Sequence, residues 1–254
     1  MNNSRTLEDL YAKYRIDRLA YGARSDKLGD LYEDYVKIIF SSEEVISNFN
    51  SGKKPLTTEE EVVYNTLMPH GIPNVKSIKA LDVPKRASKG SPKTDVHLLV
   101  NGMVNIKLSI KHSYATNITV AEFDVDTIKK EIGIKDERII YLMEKHQRDA
   151  SAKNFDEEER VELRKRLSAI KRRLVKWALS GSPDVSSEDP RIANHTIMFK
   201  IDRFNYRLKD FSSYTIEDQV NKIIEKKSGF GTGLSWTYAT GTKGQKIQFK
   251  CPVM

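Results

Sequence analysis

Thr94-Asp95-Val96-His97-Leu98-Leu99-Val100-Asn101-Gly102-Met103-Val104-Asn105-Ile106-Lys107-Leu108-Ser109-Ile110-Lys111 runs apolar and polar residues on both sides of an Asn-Gly step. In its second half, Val104, Ile106, Leu108 and Ile110 fall on one face of a strand, and Asn105, Lys107, Ser109 and Lys111 on the other. The Asn-Gly pair marks a hairpin between strands over 94–100 and 103–111. Loop length then decides which side chains meet. A two-residue turn sets Asp95 opposite Leu108 and sends its carboxylate in among apolar side chains. An odd-length loop, with Gly102 at positive φ, puts Asp95, Ser109 and Lys111 on one face instead. The odd loop is the expectation.

That face carries chemistry. A carboxylate suits a hard cation such as Mg²⁺, and a lysine beside it can hold a water or a phosphate oxygen. Charge around it points the same way. Between residues 76 and 117, eight basic residues (Lys76, Lys79, Lys85, Arg86, Lys89, Lys93, Lys107, Lys111) stand against Asp82 and Asp95 alone. Residues 226–254 hold five lysines and no acid. Either segment alone reads equally as solvated surface; both, beside a metal-type carboxylate, point to a polyanionic partner such as nucleic acid.

The 254 residues are 39% hydrophobic with a net charge of +8, which suits a folded globular chain and excludes a disordered one. No apolar run is long enough to cross a bilayer, and the polar start Met1-Asn2-Asn3-Ser4-Arg5 does not read as a signal peptide. One cysteine, Cys251, gives no disulfide and no thiolate zinc site, and the five histidines lack metal-ligand spacing. A reducing cytoplasm is the expected setting.

Working outward, cap-like starts at Thr6 and Ser25 open two helices, the second following Leu28, Leu31, Tyr32, Tyr35, Ile38 and Ile39. Residues 48–54 read as a polar loop, and Thr58-x-x-Glu61 as the capping box of a helix that stops before Pro69. A strand over 75–83 and a basic loop over 85–93 lead into the hairpin. Helical spacing returns over 120–132 and 137–151, then over one long run, 156–179, with acids first and bases last to complement its dipole. A turn-rich linker at 181–190, strands at 195–201 and 205–208, a helix at 216–227 and a hairpin at 234–250 follow. No internal repeat interrupts this order. It predicts an α/β fold with a mixed central sheet flanked by helices.

Pro92, Asp95 and Ser109-Ile110-Lys111 together resemble the PD-(D/E)xK nucleases, with Ser109 where those enzymes normally carry Asp or Glu. Longer segments resemble, in order over nearly the whole chain, one family of type II restriction endonucleases. They include Ser25–Glu33, Gly90–Asp95, Ile110–Ser113, Ala121–Asp126, Lys145–Lys153, Gln248–Lys250 and the distinctive Gly229-Phe-Gly-Thr-Gly-Leu-Ser-Trp-Thr-Tyr-Ala-Thr-Gly241. The resemblance implies a restriction-endonuclease-like core with a C-terminal DNA-reading subregion. It also implies Mg²⁺-dependent hydrolysis of double-stranded DNA at CCGG, cut after the first cytosine. The setting would be a restriction–modification system, with a cognate DNA methyltransferase as functional rather than physical partner. The chain then reads as a single endonuclease domain over 1–254. Within it, 1–72 is helical, 73–132 holds the catalytic sheet and following helix, 133–180 is helical, and 191–254 reads DNA.

Carried over residue by residue, the resemblance makes Asp95 the metal-binding carboxylate, Lys111 the catalytic lysine and the carbonyl of Ile110 a backbone metal ligand. Ser109 stands where the resembled family has an asparagine, and would reach a metal only through its hydroxyl or a water. A further anionic ligand is then needed. Glu33 is the candidate, against its reading as an ordinary exposed helix acid. His112 should face the other side of its strand. Thr119, Thr237, Tyr238, Ala239, Thr240, Gln248 and Lys250 are implied to reach base edges, and Lys243 and Lys246 to contact phosphates. Trp236 reads as core packing. Gly229, Gly231 and Gly233 lack a phosphate-loop context and are expected to permit close approach to DNA. A second reading keeps the fold and the DNA grip but has Ser109 weaken catalysis beyond use. Monomer and dimer both stay open.

Overall fold

A computed structural model describes residues 5–84, 92–184 and 186–253; most of the expected basic loop, 85–91, lies outside the described residues. In chain order the helices run α1 (Arg5–Tyr14), α2 (Tyr21–Ser41), α3 (Glu43–Asn50), α4 (Thr58–Leu67), α5 (Val125–Ile132), α6 (Glu137–Asp149), α7 (Glu157–Leu167), α8 (Lys171–Ser180) and α9 (Ile216–Ile224). The strands run β1 (Ile78–Leu81), β2 (Val96–Val100), β3 (Val104–Ser113), β4 (Asn117–Phe123), β5 (His195–Ile201), β6 (Leu208–Thr215), β7 (Ser235–Thr237) and β8 (Ile247–Pro252). The α/β class is as expected. The chain gathers into two compact units, residues 1–116, 188–215 and 253–254 in one, 117–187 and 216–252 in the other. Of the four segments read from the sequence, 1–72 and 133–180 each fall within one unit, and 73–132 and 191–254 contribute to both.

The first unit holds a five-stranded mixed sheet in the order β1-β2-β3-β5-β6, with β3 parallel to β5 and the other neighbours antiparallel. Val100 pairs with Val104 and Val96 with Leu108, so the β2–β3 loop is Asn101-Gly102-Met103. It has odd length, with Asn101 and Gly102 both at positive φ (54° and 71°). The Asn101 side chain ties the loop down: its Oδ1 accepts from the Lys76 amide at 2.7 Å and its Nδ2 donates to Asn74 O at 2.9 Å. One face of the sheet meets α2, whose Leu28, Leu31, Tyr32, Tyr35, Val36, Ile39 and Phe40 are buried with Val96, Leu98, Ile106, Leu108, Ile110, Ile197 and Phe199. Tyr32 stacks on Phe199 with centroids 4.4 Å apart.

Several boundaries differ from the sequence reading, each for a local reason. Helix α2 starts at Tyr21, and Val36 rather than Ile38 completes its inner stripe. The capping box is Thr57 with Glu60, one residue earlier than expected. Residues 48–50 close α3, which Ser42 caps by accepting from the Val45 amide. Strand β1 covers only four residues of the expected nine. Strand β6 begins at Leu208, because Asp202 Oδ1 holds the amides of Phe204 and Asn205 in a turn.

The second unit carries a three-stranded antiparallel sheet, β4-β8-β7. Residues 120–123, expected to be helical, lie in β4. A bulge between Thr119 and Ala121 buries the consecutive Val120 and Ala121, and this broke the period of two. The long run 156–179 is two helices, not one. Helix α7, opened by the capping box Asp156/Glu159, packs on α6, whereas α8 packs on α5, α9 and β4. Serving two sets of neighbours turns the chain at 168–170.

Candidate active site and DNA-reading face

Strand β2 leaves the ladder at Val96 while β3 runs on to Ser113, so the backbone of Ile110 opens on the side that β2 vacates. Asp95 fills that opening. Its amide donates to Leu108 O at 2.7 Å. Its Oδ2 accepts from the Ile110 amide at 2.6 Å and from Lys111 Nζ at 3.0 Å. Lys111 Nζ also donates to Ile110 O at 3.0 Å. The ammonium therefore bridges a carboxylate oxygen and a carbonyl oxygen, two hard donors of the kind that hold Mg²⁺. Among the described residues both partners of the Asp95 carboxylate sit on Oδ2, which leaves Oδ1 for a ligand.

Ser109 is buried, and its hydroxyl lacks a hydrogen-bond partner. Its neighbour across the parallel ladder is Thr196, whose hydroxyl is likewise buried and unpaired. An orphaned buried hydroxyl is uncommon in a folded protein. Glu33 on α2 is half-buried rather than exposed. Burial pushes its carboxyl above the usual range and the nearby charge of Asp95 adds to this, against Lys37 and Lys111. The tertiary fold thus brings Glu33 within electrostatic reach of Asp95 and Lys111. Among the described residues no three His, Cys, Asp or Glu side chains form a metal cluster. The oxygens that Lys111 brings together, the Asp95 carboxylate and Ile110 O, are donors of the kind a hard cation takes.

The flanking residues do structural work. His112 turns to the opposite face, as expected, and stacks on Tyr32 at 6.2 Å; burial pushes it down to about 4, with Lys111 adding. Lys107 is buried and donates to Asp189 O at 3.2 Å.

In the second unit Thr119, Thr237, Gln248 and Lys250 of the implied base readers share one sheet face. Gln248 and Lys250 alternate with buried Ile247, Phe249 and Cys251 on β8. Lys250 lies in register with Thr119 on one side and Ser235 on the other, and Gln248 with Glu122 and Thr237. The bulge at Val120 brings Thr119 and Glu122, three residues apart, onto that same face. Thr237 Oγ1 donates to Gln248 Oε1 at 3.1 Å. Gln248 Nε2 donates to Glu122 Oε2 at 3.1 Å, and Thr242 Oγ1 to Glu122 Oε1 at 2.9 Å. Ala239 and Thr240 lead into a 3₁₀ turn, Thr240–Thr242. Tyr238 is exposed, with Lys243 Nζ 5.7 Å from its ring centroid. Lys246 Nζ lies 3.9 Å from Glu122.

Trp236 packs as expected, edge-on to His146, Phe230 and Phe249 at 5.2–5.5 Å. Two of the glycines are required by the fold itself. A Cβ on Gly229 would lie 1.5 Å from Leu234 O, and one on Gly233 1.8 Å from Ile223 O, so both meet the chain's own backbone. Glu122 was given no role from sequence, since only the bulge and the sheet register reveal its place.

A model of the restriction endonuclease MspI family matches residues 17–251. The chain is 31% identical to the type II restriction enzyme MspI of Moraxella sp over 96% of this chain and 98% of that one. It is 20% identical to the type II restriction enzyme BsuFI of Bacillus subtilis, over 91% of this chain and 60% of that one. A crystal structure of restriction endonuclease MspI with its cognate DNA superposes with a TM-score of 0.86, covering 97% of this chain and 99% of that one.

Proposed function

Because this chain belongs to the restriction endonuclease MspI family, we propose that it is a type II restriction endonuclease that cuts double-stranded DNA at CCGG after the first cytosine. The observation that carries the reading is the contact of Asp95, the Ile110 backbone and Lys111 at the open edge of β3. Asp95 and the Ile110 carbonyl would hold Mg²⁺, with Glu33 as the further anionic ligand and Ser109 reaching it through its hydroxyl or a water. The bound ion would neutralise charge gathering on the scissile phosphate. Lys111 swings from its bridging position to orient the attacking water and ease removal of its proton. Asp95 keeps the Ile110 amide, and so the edge of β3, fixed as this happens.

Base reading falls to Thr119, Thr237, Tyr238, Ala239, Thr240, Gln248 and Lys250, with the Lys250 ammonium directed to guanine O6 and N7. Lys243 and Lys246 hold phosphates. The enzyme acts in the cytoplasm alongside a methyltransferase that protects host sites. No described helix is long and apolar enough to cross a membrane. A second reading, a DNA-binding protein with catalysis lost, is favoured only by the neutral Ser109. Incubation of a long DNA with Mg²⁺, followed by sequencing of the ends, decides between them. Uniform ends within CCGG are expected, and Lys111→Ala should leave the DNA intact while still binding it. Intact DNA with the unaltered protein, under conditions where binding persists, would establish the second reading; scattered ends would remove sequence specificity.

A further inference from the structure

The reading face contains one carboxylate, Glu122, beside the glutamine implied to touch bases, and its geometry gives it a task. A side-chain amide has a donor end and an acceptor end of nearly equal shape, so it reads a base only if its sense is fixed. Thr237 cannot fix it, because a hydroxyl donates or accepts equally well. An ionised carboxylate only accepts. With Glu122 Oε2 3.1 Å from Gln248 Nε2, the reversed amide would set two acceptor oxygens against each other. Glu122 is itself held: Oε1 takes the Thr242 hydroxyl at 2.9 Å, and β4–β8 pairing places Glu122 directly across from Gln248.

We propose that Glu122 is a positioning residue for specificity, fixing the sense in which the Gln248 amide meets the DNA. One N–H of Nε2 and one lone pair of Oε1 then remain outward, a donor and an acceptor in set order. The inference rests on the assignment of Gln248 as a base reader. Glu122→Gln is nearly isosteric but can donate as well as accept, so it permits both amide orientations.

The test compares cleavage of the preferred site with cleavage of every single-base-pair variant, for the unaltered enzyme, Glu122→Gln, Glu122→Ala, Gln248→Ala and the Glu122→Gln/Gln248→Ala double variant. Glu122→Gln should lose about tenfold or more in discrimination at the base pair where Gln248→Ala also loses it. The double variant should lose no more than Gln248→Ala alone, and thermal unfolding of Glu122→Gln should stay within a few degrees of the parent. Discrimination by Glu122→Gln equal to the parent's, or losses that multiply in the double variant, would overturn the proposal. Should Glu122→Ala fold poorly, Glu122→Gln still decides. An unaltered enzyme without any preferred site would instead defeat the functional reading itself.

Discussion

At the residue scale, Asp95 and Lys111 form a partly buried ion pair at 3.0 Å, the ammonium also donates to Ile110 O, and the buried Ser109 of the same strand carries an unpaired hydroxyl. These features separate stability from activity. Ser109→Ala removes a buried group that lacks a partner, so denaturant unfolding should show stability unchanged or raised by about 1 kcal/mol. If the hydroxyl helps hold the ion, the same variant needs more Mg²⁺ for half-maximal cleavage. An unchanged Mg²⁺ requirement would assign Ser109 to packing alone. On the reading face, Lys250→Ala should relax discrimination by about 1–3 kcal/mol, whereas Lys243→Ala weakens binding to all sequences alike. Equal losses on cognate and unrelated DNA for both variants would reject that division of labour.

At the element scale, the caps and tight turns give separable effects. Thr57 accepts from the Glu60 amide and the Glu60 carboxylate accepts from the Thr57 amide, so Thr57→Ala should cost about 1 kcal/mol. An unchanged thermal melt would mean that this cap adds nothing to stability. Gly229→Ala must place a methyl 1.5 Å from Leu234 O at a positive φ and should destabilise by about 2 kcal/mol or more. Gly241→Ala meets nothing within 4 Å and serves as the near-neutral control. Comparable melting temperatures for the two variants would mean that the turn relaxes freely.

At the scale of the whole molecule, three histidines set the acid limit, His146 and His195 buried and His112 half-buried. Burial pushes His112 and His146 down to about 4 and His195 to about 3, the last beside His70. Above a pH of about 6.5 each is neutral in both the folded and the unfolded chain, and none affects stability. Below it the unfolded chain binds protons that the folded chain resists. Stability should therefore fall by about 1.4 kcal/mol per pH unit for each histidine until its folded value is reached. Denaturant titrations between pH 7 and pH 4 measure this, and His112→Phe should flatten the slope. A slope unchanged by that substitution would mean that His112 titrates normally in the folded protein.

The sequence alone determined the α/β class, the odd-length loop after β2, and the face that Asp95 shares with Ser109 and Lys111. Those follow from a strand period of two and from glycine's tolerance of positive φ, which are properties of neighbours along the chain. It also supplied the segments that mark the family. Tertiary structure decided what depends on register and approach. Packing of α2 on the sheet set Glu33 within electrostatic reach of Asp95, although helical spacing reads Glu33 as an ordinary exposed acid. One extra residue at Val120 disguised β4 as helix and turned Glu122 towards Gln248. Gly229 and Gly233 answered to carbonyls that come near only once the chain has folded. Local periodicity fixes which way a side chain points, but what it meets is settled by segments distant in sequence.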